Sequence, residues 1–334
     1  MISVSIIVPV YGVEKHIERC LRSVLRQDYQ GELECILVDD CTPDKSMQIV
    51  EALLESYGGN IVFRKFRHER NRGLSAARNT GTQAAKGDYI FYLDSDDEIM
   101  PHAISTLVTL ANKYPGVDIV YGDWYVARRY NSLQNNVALK EYINNSNEII
   151  STILLGCHVS MTAPNKLLRK EFIRNNTLSF KEGIYHEDEH FNYFLAEAAQ
   201  SIAICFVPIY VYYLNPEGIT GGNSKDKRIY SLIIICEDIL LRGKTLFRYH
   251  FCLKFVRNLV NVIHDNSFLY PRLKDLIFHL YQSTHKDHLY LCSFYVYLYY
   301  IFPIKLLKYL NKSRLFTISY SIIWRIIKRR EFCR

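Results

Sequence analysis

The chain opens on a run of apolar and β-branched positions, Val4, Ile6, Ile7 and Val8, with almost no polar alternation. Such a run predicts a strand over 3–10 covered on both faces. Ile17, Leu21, Val24 and Leu25 then fall on one side of a helix. A second strand is predicted over 33–38. Thr42-Pro43 reads as an N-cap with proline in the first helical position. The helix it opens carries Ile49, Leu53 and Leu54 and stops at Gly58-Gly59. A third strand is predicted over 61–66, an Ala-rich helix over 74–86 ended by Gly87, and a fourth strand over 89–93. A helix follows Pro101, and another strand begins at 118. Strands alternating with helices over 1–125 predict an α/β fold, an open, mainly parallel sheet with helices on both faces. The pattern is mixed over 126–225. Over 226–334 it becomes helical and crowded with Tyr, Phe, Ile and Leu.

Open sheets of this kind bind ligands at the carboxyl ends of their strands. Two acidic groups stand there. Asp94-Ser95-Asp96-Asp97 puts three carboxylates in four positions, where each resists ionising beside the others. A hard divalent cation, Mg²⁺ or Mn²⁺, relieves that repulsion and completes its shell with substrate phosphates. A solvated turn capping the next helix is the plainer alternative. Asp39-Asp40 closes the second strand, where it could accept from a base N–H or a ribose hydroxyl, or simply make an Asx turn. Arg78 and Asn79 lie among small residues that let their helix approach the sheet. From there a guanidinium could face a diphosphate, or it could be an ordinary exposed arginine. His186-Glu187-Asp188-Glu189-His190 precedes an apolar helix. Its acids suit a general base, and equally a helix N-terminus. The two histidines lack the H-E-x-x-H order of a metal pair.

Composition narrows the partners. Hydrophobic residues make up 49% of the 334 and charged residues 22%, which provides for a packed core. A net charge of +7 suits phosphate-rich ligands, nucleic acid or an anionic membrane surface. The nine cysteines show no C-x-x-C and no zinc spacing, and read as reduced thiols of a cytosolic protein. The start does not read as a signal peptide, and no run approaches the roughly 20 apolar residues of a spanning helix. From 289 onward Lys305, Lys308, Lys312, Arg314, Arg325, Lys328, Arg329, Arg330 and Arg334 are set against one acid, Glu331, with aromatics interleaved. That mixture describes a helix lying on an anionic membrane surface. An ordinary helical subdomain is the other reading. The many Leu and Ile argue against nucleic acid as a partner.

Together these segments resemble glycosyltransferase family 2, the inverting transferases of GT-A fold common in bacterial polysaccharide synthesis. The match runs through Ser5 to Tyr11, Cys20 to Gln27, Leu37-Val38-Asp39-Asp40, and most closely Asn71 to Asp97. Cys41-Thr42-Pro43-Asp44 departs from the family's commoner Gly-Ser-Thr-Asp. The resemblance implies a GT-A catalytic domain over 1–225, with 1–125 binding a nucleotide-diphospho-sugar and 126–225 the acceptor. Beyond about residue 220 the resemblance gives nothing specific, and attachment of the helical region 226–334 to a membrane surface is an expectation from its composition alone. The resemblance further implies that Pro9, Tyr11 and Asp40 hold the base of a UDP-sugar, that Asp39, Arg78 and the ribose-holding Asp94 belong to the nucleotide site, and that Asp96, with Asp94 as second candidate, carries Mn²⁺ or Mg²⁺. Asp188 would be the base and Glu187 its neighbour on the acceptor side. The activity implied is hexosyl or N-acetylhexosaminyl transfer to a glycan or lipid-linked glycan, on the cytoplasmic face of the plasma membrane. Two other enzyme classes fit less well. A sugar-nucleotide-forming nucleotidyltransferase needs a basic, Gly-rich loop where Tyr11-Gly12-Val13-Glu14-Lys15-His16 stands, and a dehydrogenase needs G-x-G-x-x-G there. A protein that binds nucleotide sugar without turnover is the non-enzymatic alternative.

Overall fold

The computed structural model describes residues 1–127, 139–154, 159–215, 225–262, 269–287 and 296. The chain divides into one unit of Met1–Gly183 with Glu187–Gly222, and a second of Ile184–His186 with Asn223–Arg334.

The first unit is built on a sheet in the order β3-β2-β1-β4-β8-β6-β9-β5, with β7 pairing β9. Strands β1 (Val4–Val10), β2 (Leu33–Asp39), β3 (Val62–Arg67) and β4 (Tyr89–Tyr92) are parallel. They lie within two residues of the expected ranges. Their helices are α1 (Ile17–Leu25), α2 (Ser46–Glu55) and α3 (Leu74–Ala84). Val4, Ile6, Val8 and Val10 of β1 join a core with Cys20, Leu21 and Val24 of α1 and Ile104, Leu107 and Val108 of α4 (Ala103–Lys113). Ile7 faces the other way, toward Gly81 of α3. Cover on both faces is why β1 and β2 are buried at every position, and why their sequences show no alternation.

Beyond β4 the sheet becomes mixed. After the short β5 (Glu98–Ile99) and α4 come β6 (Ile119–Val126), β7 (Tyr142–Ile143) and α5 (Ser146–Leu154). They are followed by β8 (Lys166–Arg169), α6 (Lys170–Asn175), α7 (Glu187–Ala198) and β9 (Ile202–Tyr212). β8 enters antiparallel between β4 and β6. β9 runs parallel to β6 and antiparallel to β5 and β7. One expectation changes: α2 begins at Ser46, so Thr42 does not cap it. Asp44 does the local work, accepting from the Ser46 amide at 3.0 Å, the Ser46 hydroxyl at 2.6 Å and the Thr42 hydroxyl at 2.7 Å. Those bonds and the Glu14 amide hold its carboxyl down at about 2, against the desolvation that would raise it.

The second unit contains α8 (Lys225–Arg242), α9 (Phe247–Val262) and α10 (Tyr270–Lys286), which pack on one another. Phe247, Cys252, Val256, Leu259 and Val260 of α9 are buried, as are Leu273, Leu276, Ile277 and Leu280 of α10. The expected membrane-surface tail over 289–334 lies, apart from residue 296, outside the described residues. Among those described, no helix is long and apolar enough to cross a membrane. The six described cysteines are free thiols, and all but Cys41 are buried.

Candidate active site

Parallel pairing sets the site at one end of the sheet. Val10 pairs Asp39 across β1 and β2, and the Leu93 amide donates to the Ile7 carbonyl as β4 ends. Tyr11, Asp39-Asp40 and Asp94 therefore leave the sheet side by side. Pro9 is buried within β1, while Tyr11 beyond it is half exposed.

Asp39 and Asp40 carry structural loads. Asp39 accepts from the Thr42 amide at 2.7 Å and pairs with Arg67 at 3.3 Å. Asp40 is 3% exposed. It accepts from the Arg72 amide at 2.8 Å and the Gly73 amide at 2.7 Å, and bonds Nδ1 of His68 at 2.6 Å. It thus staples the loop from β3 to α3 against β2. Gly73, at φ +91, turns that loop in a region only glycine enters freely. Cys41 beside the pair also sits at positive φ, 58°. Non-glycine strain of this kind gathers at functional loops.

Arg78 differs most from expectation. Its side chain is 1% exposed, so it is not the ordinary exposed arginine of the plainer alternative. Nη2 donates to Asp94 Oδ1 at 2.7 Å, and Nη1 donates to Glu187 Oε1 at 3.0 Å and Asp188 Oδ1 at 2.9 Å. One guanidinium joins the turn after β4 to the first turn of α7. Its outer face lies 5.1 Å from the ring centre of Phe180. Asn79 grips the backbone of Phe180 in both directions, at 2.8 and 2.9 Å, and Phe180 stacks on Phe191 of α7 at 4.1 Å. Small residues make this possible: Ala76, Ala77 and Gly81 let α3 settle close to β1 and β2. Coulombic attraction to Asp188, Asp94 and Glu187 raises the Arg78 pKa further, outweighing its burial.

The acids differ in their surroundings. Asp97 is 1% exposed and accepts from the Tyr210 hydroxyl at 2.6 Å and the Tyr213 amide at 2.8 Å. It anchors the end of β9, and burial with Asp94 nearby pushes its carboxyl up to about 8. Asp96 accepts from Asn215 at 3.0 Å, and its carbonyl accepts from Arg19, whose guanidinium stacks 3.6 Å over Tyr213. Burial also raises the Asp96 carboxyl. Asp188 is pushed up to about 7, by burial first and then by Glu187 and Asp94, while Arg78 and Lys166 hold it back. His186, at φ 61, turns the chain into α7. His190 lies edge-on to Phe194, 5.0 Å away.

Among the described residues no set of three or more His, Cys, Asp and Glu side chains converges on a metal position. Mg²⁺ and Mn²⁺ do not require one, because one or two carboxylates and substrate phosphates suffice. Asp94 and Asp96 would suit that role as oxygen donors in a turn whose acids repel; Arg78 engages one oxygen of Asp94, and Asn215 bonds Asp96.

Asn215, Tyr210, Tyr213 and Arg19 were not foreseen, because their partners here lie 77 to 119 positions away and no local spacing signals them. Lys166 stands in the Asn165-Lys166-Leu167 segment that shares the family resemblance, but nothing in the sequence indicated its burial.

Residues 5–175 match the family model described as glycosyl transferase family 2, and the chain belongs to that family. Among relatives, the uncharacterized glycosyltransferase EpsJ of Bacillus subtilis (strain 168) is 32% identical over 229 residues, 65% of this chain and 62% of EpsJ. The match thus spans less than two-thirds of that relative's length. Residues 1–349 of Staphylococcus aureus TarS, solved with UDP-GlcNAc, align with a TM-score of 0.67 at 19% identity, covering 96% of this chain and 90% of that one. The mannosyltransferase PcManGT from Pyrobaculum calidifontis, solved with GDP-Man and Mn²⁺, aligns at 0.56 and 16% identity, covering 96% and 86%. At these identities the structural likeness is one of fold, the open mixed sheet expected from the sequence.

Proposed function

We propose that the protein is an inverting, cation-dependent glycosyltransferase that moves a sugar from a UDP-sugar to an acceptor hydroxyl. The carrying observation is the Arg78 bridge, which places the Asp94 carboxylate and the Glu187-Asp188 pair around one guanidinium. Donor-side and acceptor-side acids thereby meet at the carboxyl end of the sheet. UDP-GlcNAc in the S. aureus neighbour and GDP-Man with Mn²⁺ in the Pyrobaculum neighbour support a nucleotide-sugar donor and a divalent cation.

On this reading Pro9, Tyr11 and the Asp39-Asp40 turn form the base pocket, with Asp40 shaping it by holding the 68–73 loop. Asp94 and Asp96 would hold Mn²⁺ or Mg²⁺, which when bound neutralises charge on the leaving diphosphate. Arg78 stands on the nucleotide side of the site, bonded to Asp94. It orients Asp94 and Asp188 and keeps their charges compatible. Asp188 accepts the acceptor hydroxyl's proton as the oxygen attacks the anomeric carbon from the face opposite the departing UDP. Burial raises this carboxyl above the usual aspartate range, toward the operating pH where a base works best. Glu187 flanks it on the acceptor side. The acceptor class is a glycan or lipid-linked glycan of a bacterial surface polymer. The basic, aromatic composition of 289–334 supports peripheral attachment to the inner face of the plasma membrane. Release of UDP from UDP-sugars, followed with Mn²⁺ and again in EDTA, tests the core of this reading. Turnover undiminished in EDTA would remove the cation, and absence of release with every UDP-sugar would remove the transferase assignment.

A further inference from the structure

Lys166 is buried at the start of β8, with 0% exposure. An ammonium is costly to bury unless each proton finds an acceptor. Here they do: Nζ donates to the Thr162 carbonyl, to the Ser160 carbonyl at 3.3 Å and to Asn192 Oδ1 at 3.1 Å. The ring of Tyr121 lies 5.1 Å away. Asn192, also fully buried, is one helical turn beyond Asp188 in α7. Its Nδ2 donates to the Asp188 carbonyl at 2.9 Å and to the Met161 carbonyl at 2.6 Å. One lysine and one amide therefore join three successive carbonyls of the 160–162 turn to the helix turn that bears Asp188. The turn presents the Ser160 and Thr162 hydroxyls, bonded to each other at 2.7 Å, at the surface.

We propose that Lys166 is a positioning residue for the acceptor side, tying the 160–162 turn to α7 and, through Asn192, holding in place the helix turn that carries Asp188. This rests on the reading of Asp188 as the base. The charged groups facing Asp188 are Arg78 from α3, Glu187 from its own helix, Asp94 from the turn after β4 and Lys166 from β8. The Lys166 charge favours the ionised carboxylate, so removing it shifts Asp188 upward. Burial pulls the ammonium below the usual lysine range, and Asp188 pulls it back.

The test uses the full chain. It takes UDP release to water from whichever of UDP-Glc, UDP-Gal, UDP-GlcNAc and UDP-GalNAc gives the largest thermal shift with Mn²⁺, UDP affinity by calorimetry, and amide exchange over 159–163. Lys166→Met is expected to slow release roughly 10- to 10²-fold, the scale of a small misplacement. It should also move the acid limb of the rate–pH profile upward, speed exchange over 159–163, and leave UDP affinity within twofold. Asn192→Asp keeps an acceptor for Lys166 but loses both donations. It should reproduce the slow rate and fast exchange, and it decides the matter if Lys166→Met does not fold. A wild-type rate, pH limb and exchange in the folded variants overturns the proposal. So does a rate loss matched by an equal loss of UDP affinity, which marks general damage. If Asp188→Asn leaves release unchanged, the base assignment fails and this proposal fails with it. If Asp188→Asn abolishes release while Lys166→Met does not affect it, only the role of Lys166 is lost.

Discussion

Replacing Arg78 by methionine keeps most of the side-chain volume and removes the charge that joins α3, the Asp94 turn and α7. Three charge-assisted hydrogen bonds, each of about 1.5–3 kcal/mol, give an upper bound of roughly 5–9 kcal/mol. The sum overstates the loss, because Asp94, Glu187 and Asp188 retain 29%, 12% and 21% exposure and can recover water. It also overstates it because Asp188, whose carboxyl burial already raises, can protonate. A net loss of about 3 kcal/mol, the low end for an orphaned buried charge, is expected. For a unit of this size that corresponds to a Tm lower by about 6–12 °C. The loss should be largest above pH 7, where Asp188 must stay ionised, and should shrink as Asp188 protonates. Mn²⁺ should stabilise the variant more than it stabilises wild type, since a cation can take over part of the lost compensation. UDP release should fall by about 10²-fold or more, because both carboxylates lose their geometry. Thermal melts from pH 5 to 8, with and without Mn²⁺, read the first three effects, and a coupled UDP assay reads the last. A variant within about 1 kcal/mol of wild type, with unchanged turnover, would refute the bridge as the organiser of the site.

Three further outcomes follow from single contacts. Asp188→Asn should lower kcat roughly 10²-fold with UDP affinity unchanged by calorimetry; a collapse of both would make Asp188 structural and Glu187 the next candidate. Gly81→Ala would gain about 1 kcal/mol of helix propensity, but its Cβ would fall inside contact distance of Ile7 Cγ2, with further Ile7 atoms at 3.2 and 3.3 Å. Ile7 is fully buried, so the clash should win by about 1–3 kcal/mol in a denaturant titration, and a stabilised variant would show that α3 can lift off β1. His250 is held down at about 4, by burial first and then by Lys254. Above pH 6.5 both folded and unfolded states are neutral there. Between 6.5 and 4 only the unfolded state takes the proton, so stability should fall with pH at up to about 1.4 kcal/mol per unit. His250→Gln should flatten that slope, and identical slopes would place the acid sensitivity elsewhere.

How legible each part was depended on whether its cause is local. β1 and β2 showed in the sequence because burial on both faces leaves an unbroken apolar run, and Asp94, Asp96 and Asp188 stood out as candidates because they crowd with other acids at a strand end and a helix start. β8 did not: it is four residues long and begins with a buried lysine whose acceptors come from the 160–162 turn and α7. Arg78 was visible as a residue but not in its orientation. Nothing near it in sequence reveals that Glu187 and Asp188, more than a hundred positions away, bond the same guanidinium. Asp40 shows the converse, since the type and place of residue suggested a ligand contact while three of its bonds go to its own protein. The two cases have a common cause. A buried charge in this fold needs partners from several elements at once, so Arg78, Asp40 and Lys166 each bind together segments that meet only in the folded sheet. The acids they organise belong to the local pattern. The cations that make those acids usable belong to the tertiary structure, and substitution at those cations is where the proposed mechanism is most exposed to test.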